Sequence, residues 1–233
     1  MIRTKGDKIL DVALSKIGDK GLFTKELEKA LFDGRADIAV HSLKDMETIQ
    51  PEGLTLGCVV ERAAPEDALI AKEEGMTIEH LPQGATVATG SVRRRAQLLS
   101  LRPDLNIVDI RGNVETRLAT FREKGYDGMI LARAGLERLG LAEVITWIVP
   151  TDIMIPAVGQ GAIGIEMREG DTEVAAILAS IEHPATRIAV DRERDFLRRL
   201  DGGCHSAIAA HATTTEDEAG SFTVRMATFV GEE

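Results

Sequence analysis

Helical and strand periodicities alternate along the first two thirds of the chain. In "GLFTKELEKALFDGRADIAVHSLKD", Leu27, Ala30 and Leu31 recur at the spacing of one helix face, Thr24 is a candidate N-cap and Gly34 a stop. "ADIAVHS" then reads as a short buried strand. The same exchange of periods follows three more times. "ATVATGS" runs into "VRRRAQLLSL", "NIVDIRGN" into "VETRLATFREKG", and "YDGMILARAG" into "LERLGL". Alternation of this kind predicts an α/β fold, with a parallel sheet and helices on both of its faces. After Pro150, "PTDIMIPAVGQGAIGIEM" is apolar and glycine-rich, suited to a crossing segment that returns to an earlier sheet. Two helices follow, "TEVAAILASI" and "TRIAVDRERDFLRRL", separated by Glu182, His183 and Pro184. The tail from His205 reads as two alternating strands around a polar turn, which predicts a small mixed third domain.

Bulk properties narrow the class. With 233 residues, 44% of them hydrophobic, the chain has enough apolar material for real cores. It contains no run of 18 apolar residues, and "MIRTKGDKILD" lacks the apolar centre of a signal peptide, so a cytoplasmic protein without a membrane partner is expected. A net charge of -10 and 3% aromatics argue against a nucleic-acid partner, which needs a basic surface and stacking rings. Two cysteines, Cys58 and Cys204, make no disulfide framework, and five histidines fall in no metal-ligand set with them. Phosphate-binding loops of the usual spacings are missing; "VGQGAIG" has the glycines without the strand and helix around them.

Against this acidic background, nine arginines lie between residues 91 and 140: Arg93, Arg94, Arg95, Arg102, Arg111, Arg117, Arg122, Arg133 and Arg138. In open α/β sheets ligands bind at the carboxyl ends of strands, beside helix N-termini. The residues falling there are Ser42, Lys44 and Asp45 after the first strand, Thr89, Ser91, Arg93 and Arg94 after the second, and Arg111 after the third. Guanidinium forks in such a place imply a ligand with several carboxylates or phosphates. Asp45 among these cations is either a helix cap or a carboxylate that faces positive charge on the ligand. Cys204, set on a glycine turn in "LRRLDGGCHSA", is either buried filler or an attachment point.

Taken in order, "KGLFTKELEKALFDGRADIAVHSLKD", "TGSVRRRAQL", "DIRGNVETRL", "LARAGLERLG", "PAVGQGAIGIE" and "ERDFLRRLDGGC" closely resemble the hydroxymethylbilane synthase, or porphobilinogen deaminase, family. The resemblance implies two periplasmic-binding-protein-like α/β domains flanking a cleft, plus a small α+β third domain. Residues 1–62 and 157–180 would form domain 1, 63–156 domain 2 and 181–233 domain 3. It implies a monomeric transferase of tetrapyrrole (haem) synthesis. Four molecules of porphobilinogen are added head to tail to a dipyrromethane cofactor, ammonia leaves at each step, and hydrolysis frees hydroxymethylbilane. Cys204 matches the cysteine that carries the cofactor through a thioether, and Asp45 matches the catalytic aspartate. Ser42, Lys44, Thr89, Ser91, Arg93, Arg94, Arg111, Arg117 and Arg138 match cofactor-binding positions; Lys16, Lys20, Phe23 and Gln160 match substrate-binding ones. Arg95, Arg102, Arg122 and Arg133 have no such match and are expected on solvated faces. The chain begins beyond the family's first strand and its Arg-x-Ser motif, and stops early in the third domain. An inactive relative, or a carboxylate-binding module of the same fold, is therefore the competing expectation.

Overall fold

The computed structural model describes residues 24–200 and 207–231. In chain order the elements are α1 (Lys25–Phe32), β1 (Ile38–Ser42), a 3-10 turn at Leu43–Asp45, β2 (Leu54–Val59), β3 (Asp67–Ala71) and β4 (Thr86–Ala88). Next come α2 (Val92–Leu101), β5 (Asn106–Val108), α3 (Val114–Lys124), β6 (Gly128–Ala132), α4 (Arg133–Arg138) and β7 (Trp147–Val149). The last elements are β8 (Ile163–Arg168), α5 (Thr172–Ala179), α6 (Pro184–Arg199), β9 (Ile208–Glu216) and β10 (Phe222–Val230). The chain divides into two compact units. Described residues of Met1–Ala63, Val158–Cys204 and Ala210–Ala227 form the first, and Ala64–Ala157, His205–Ala209 and Thr228–Glu233 the second.

Among the described residues, the first unit is built on a three-stranded sheet in the order β1-β8-β2. As the crossing segment predicts, β8 returns from beyond Pro150 to lie between the two earlier strands. Both pairings are antiparallel, which corrects the expectation of a parallel sheet. A parallel pair is joined by a strand–helix–strand unit, but the chain runs from β2 through β3 to β7 and the three helices among them before it returns as β8. Leu43, Met46, Leu56, Val59, Ala162 and Val190 form one core cluster here, so α6 packs through Val190 on the same apolar layer as the turn after β1. Buried positions on α6 are Thr186, Ala189, Val190, Glu193, Arg194 and Leu197, one stripe at helical spacing. Pro184 opens this helix, and the ring of His183 accepts a hydrogen bond from the Thr186 N–H as its N-cap.

The second unit holds a five-stranded mixed sheet, β5-β4-β6-β3-β7. β4 is parallel to β5 and to β6, the two steps where α2 and α3 supply crossovers; β3 is antiparallel to β6 and β7. Alternate residues face opposite cores. Leu69, Val87 and Ile130 meet Leu98 of α2 on one side, while Ala68, Ile70, Ala88, Met129 and Leu131 meet Leu118 and Phe121 of α3 and Leu136 of α4 on the other. Helices on both faces are therefore what the alternating periods produce in this unit. The tail forms the expected pair of strands, β9 with β10.

Candidate functional site

In the first unit the segment after β1 presents its polar groups because its apolar ones are locked down. Leu43 and Met46 are buried. The Leu43 N–H donates to the Ala162 carbonyl at 3.0 Å, and Met46 N–H to the Leu43 carbonyl at 3.2 Å. Two glycines allow this approach: a Cβ on Gly164 would lie 2.8 Å from Leu43 Cδ1, and one on Gly159, whose φ is 71°, would lie 3.1 Å from Leu43 Cγ. Ser42 and Asp45 are consequently exposed and Lys44 half-buried. Gln160, on the facing loop, is buried.

Beside this turn lies a buried polar layer whose partners come from elements distant in sequence, and in which His41 meets a carboxylate rather than the backbone. His41 Nε2 is 3.1 Å from Glu166 Oε2, both groups buried. Glu28 on α1 has its carboxyl held above the usual range, chiefly by burial, with a hydrogen bond to Thr24 opposing and the charges of Glu166 and Glu47 adding to the rise. Glu193 of α6, fully buried, accepts Arg62 Nη1 at 2.6 Å, Arg62 Nη2 at 3.3 Å, the Gly159 N–H at 2.8 Å and the Ala212 N–H at 2.7 Å. Arg62 Nε also donates to the Gln160 carbonyl at 2.8 Å. Next to Glu193, the buried Arg194 donates to the Glu47 carbonyl at 2.7 Å and to Gln50 Oε1 at 3.4 Å. The signal for Glu193 and Arg194 is present in the sequence as two charged residues on the helix stripe marked by Val190 and Leu197; such residues read first as solvated ones.

The second unit gathers its polar groups at the carboxyl ends of β4, β5 and β6. Thr89 is buried and Ser91, the N-cap of α2, accepts the Arg94 N–H. Thr89 Oγ1 accepts the Ser91 N–H at 3.3 Å, and Thr89 N–H reaches the Val108 carbonyl at 2.9 Å, tying the two strand ends together. At Gly90 a Cβ would come within 2.9 Å of the Ile110 carbonyl oxygen and 3.9 Å of Arg111 Cζ, so only glycine lets these loops meet. Arg111, half-buried, pairs with Asp109 at 3.1 Å; Arg117 donates to the Gly112 carbonyl at 2.7 Å; Arg138 is exposed near the end of α4.

Arg93 and Arg94 take inward positions. Asp67, fully buried, receives Arg93 Nη2 at 2.7 Å and Arg94 Nη2 and Nε at 2.8 and 3.0 Å. Arg93 Nη1 continues to the Ile155 carbonyl and Arg94 Nη1 to the Ile130 carbonyl, while Arg93 Nε is buried without a hydrogen-bond partner. Burial presses the Arg93 pKa downward, with Asp67 opposing. Two guanidiniums against one carboxylate leave this trio one positive charge in surplus, which an added carboxylate would neutralise. A dipyrromethane carries four carboxylates, and Thr89, Ser91 and Arg111, brought together where the loops meet at Gly90 and beside that surplus, are a donor set suited to such a group.

Arg95 and Arg122 lie on solvated faces as expected. Arg102 and Arg133 do not simply face solvent. Arg102 clamps the carbonyls of Ile78, Glu79, Leu81 and Pro82 and pairs with Asp104, and Arg133 bridges Glu66 and Glu137. Lys16, Lys20, Phe23 and Cys204 lie outside the described residues. Among the described residues no helix is long and apolar enough to cross a membrane.

Comparison with known proteins gives a family. The model described as "Porphobilinogen deaminase, dipyromethane cofactor binding domain" matches residues 1–176, and "Porphobilinogen deaminase, C-terminal domain" matches 187–233. The chain is 54% identical to the porphobilinogen deaminase of Syntrophotalea carbinolica over 215 residues, covering 92% of this chain and 68% of that one. It is 55% identical to the porphobilinogen deaminase of Moorella thermoacetica with the same coverage. Among solved structures, a TRAP periplasmic solute binding protein from Desulfovibrio salexigens superposes with a TM-score of 0.46 at 13% identity, over 75% of this chain and 63% of that one.

Proposed function

The chain belongs to the porphobilinogen deaminase family, and on that premise we propose that Asp45, Cys204 and the strand-end residues of the second unit carry its transferase reaction. The reaction joins four porphobilinogens head to tail with loss of ammonia and ends in hydrolytic release of hydroxymethylbilane. The dipyrromethane, when bound, supplies the free pyrrole carbon on which the chain is built.

Asp45 has two tasks in this reading. Its proton helps ammonia leave, and its carboxylate then stabilises positive charge on the pyrrole nitrogens as the electrophile forms and is attacked. The observation that supports it best is the mounting of the turn: Leu43 and Met46 are sunk in a core while Asp45, between them, stays exposed. Thr89, Ser91, Arg93, Arg94, Arg111, Arg117 and Arg138 receive the acetate and propionate groups of the cofactor and growing product, with Ser42 and Lys44 beside Asp45. Lys16, Lys20, Phe23 and Gln160 orient the incoming substrate. Cys204 holds the cofactor through its sulfur. Cys58 is no competitor: it is fully buried, and burial with Glu182 nearby pushes its thiol up to about 11.

The same reading takes residues 1–62 with 157–180, 63–156 and 181–233 as three domains of a cytoplasmic monomer. The net charge of -10 supports the absence of a nucleic-acid partner. Asp45→Asn keeps the shape but loses charge and proton. Its turnover of porphobilinogen is expected to fall by about 10²–10⁴-fold, the range for a lost acid–base group. A variant that consumes porphobilinogen at the wild-type rate removes Asp45 from the role.

A further inference from the structure

We propose that Arg194 is a positioning residue for the reaction, holding the Asp45 turn in register with the helix that leads to Cys204. The proposal rests on the reading of Asp45 and Cys204 given above. Arg194 stands on the buried stripe of α6, 4% exposed, where the preceding turn of the helix contributes Val190. Val190 shares a core cluster with Leu43 and Met46, the two apolar anchors on either side of Asp45. Arg194 adds a directional contact to that packing. Its Nη2 donates at 2.7 Å to the carbonyl of Glu47, two residues past Asp45, and at 3.4 Å to Gln50 Oε1. Gln50 Nε2 donates to the same Glu47 carbonyl at 2.7 Å, so that oxygen is gripped twice. Upstream, the Leu43 N–H is fixed on the Ala162 carbonyl.

The backbone carrying Asp45 is thus pinned on both sides, and its downstream pin is a side chain of α6. That helix ends at Arg199, shortly before Cys204. A shift of the reacting groups by about 1 Å can cost on the order of 10²-fold in rate. A buried guanidinium is expensive to desolvate, and apolar residues would fill the same stripe at lower cost if packing were all that α6 supplied. Both of these hydrogen bonds from Arg194 go to the protein chain itself, on the segment that carries Asp45. Loss of the grip should therefore appear in kcat and leave KM in place.

The test compares holoenzyme of the wild type with Arg194→Met, which keeps bulk without donors, and Arg194→Lys, which keeps charge and one donor. Asp45→Asn and Leu178→Ala serve as references, the latter opening a cavity in the separate cluster around Cys58. We expect Arg194→Met to lower kcat for porphobilinogen at least tenfold with KM within threefold, and Arg194→Lys to fall between. Leu178→Ala should lose melting temperature but keep kcat per mole of holoenzyme. Should Arg194→Met give no folded protein, a threefold or larger loss of kcat in Arg194→Lys and in Gln50→Ala supports the proposal. It is overturned by kcat within twofold of wild type in these variants, or by a rise in KM at unchanged kcat. Wild-type turnover in Asp45→Asn would instead sink the reading on which the proposal rests.

Discussion

Asp67 shows how a single buried carboxylate can decide the state of two arginines. It accepts three guanidinium N–H groups in a fully buried place, and each of those bonds is charge-assisted. Replacing it by Asn leaves two buried cations without their counter-charge, and we expect about 3–5 kcal/mol lost from the unfolding free energy, read by urea denaturation. A loss below about 1 kcal/mol would show that Arg93 and Arg94 are neutralised in another way. His211 makes a pH prediction. Burial, with the charge of Arg62 adding, lowers its pKa from 6.5 to about 4. The unfolded chain takes up this proton at higher pH than the folded one, so His211 contributes nothing to the pH slope above about 6.5 and progressively destabilises the fold as pH falls from there to about 4. In His211→Asn the melting temperature should therefore fall less steeply across that window than in the wild type; equal slopes would assign the acid sensitivity elsewhere.

At the scale of elements, the joint between the ends of β4 and β5 depends on Gly90. A methyl group there meets the Ile110 carbonyl oxygen at 2.9 Å, a backbone atom that cannot rotate away. Gly90→Ala is expected to fold but to separate the loops bearing Ser91 and Arg111, seen as a several-fold loss of cofactor loading by intact mass; full loading would mean that the joint has slack. The elements from β4 to α4 were legible in the sequence because the hydrophobic period changes cleanly from two to about 3.6 at each strand end. Three strands were not. β3 is buried at all five positions and so has no alternation, β7 has only three residues, and in β2 the register shifts between Leu56 and Cys58, which breaks the period. The site was legible in part for a related reason. Strand-end residues such as Ser91 and Arg111 announce themselves by position, whereas the Asp67 that faces Arg93 and the Glu193 that faces Arg62 come from elements distant in sequence. No local pattern can report such partners.

For the whole molecule, the proposed function requires that Cys204 be the point where the cofactor is attached. Only two thiols exist, and Cys58 is sealed in a core, so alkylation of the native protein before cofactor loading should label Cys204 alone and label nothing in Cys204→Ser. A label on Cys58 would mean that the first unit opens readily. Attachment at Cys204 is tested by the intact mass of the purified chain under denaturing conditions, beside Cys204→Ser prepared in the same way. An added mass equal to two linked pyrrole units is expected in the wild type and none in the variant. An unmodified wild-type mass, or the same addition in both proteins, would contradict it.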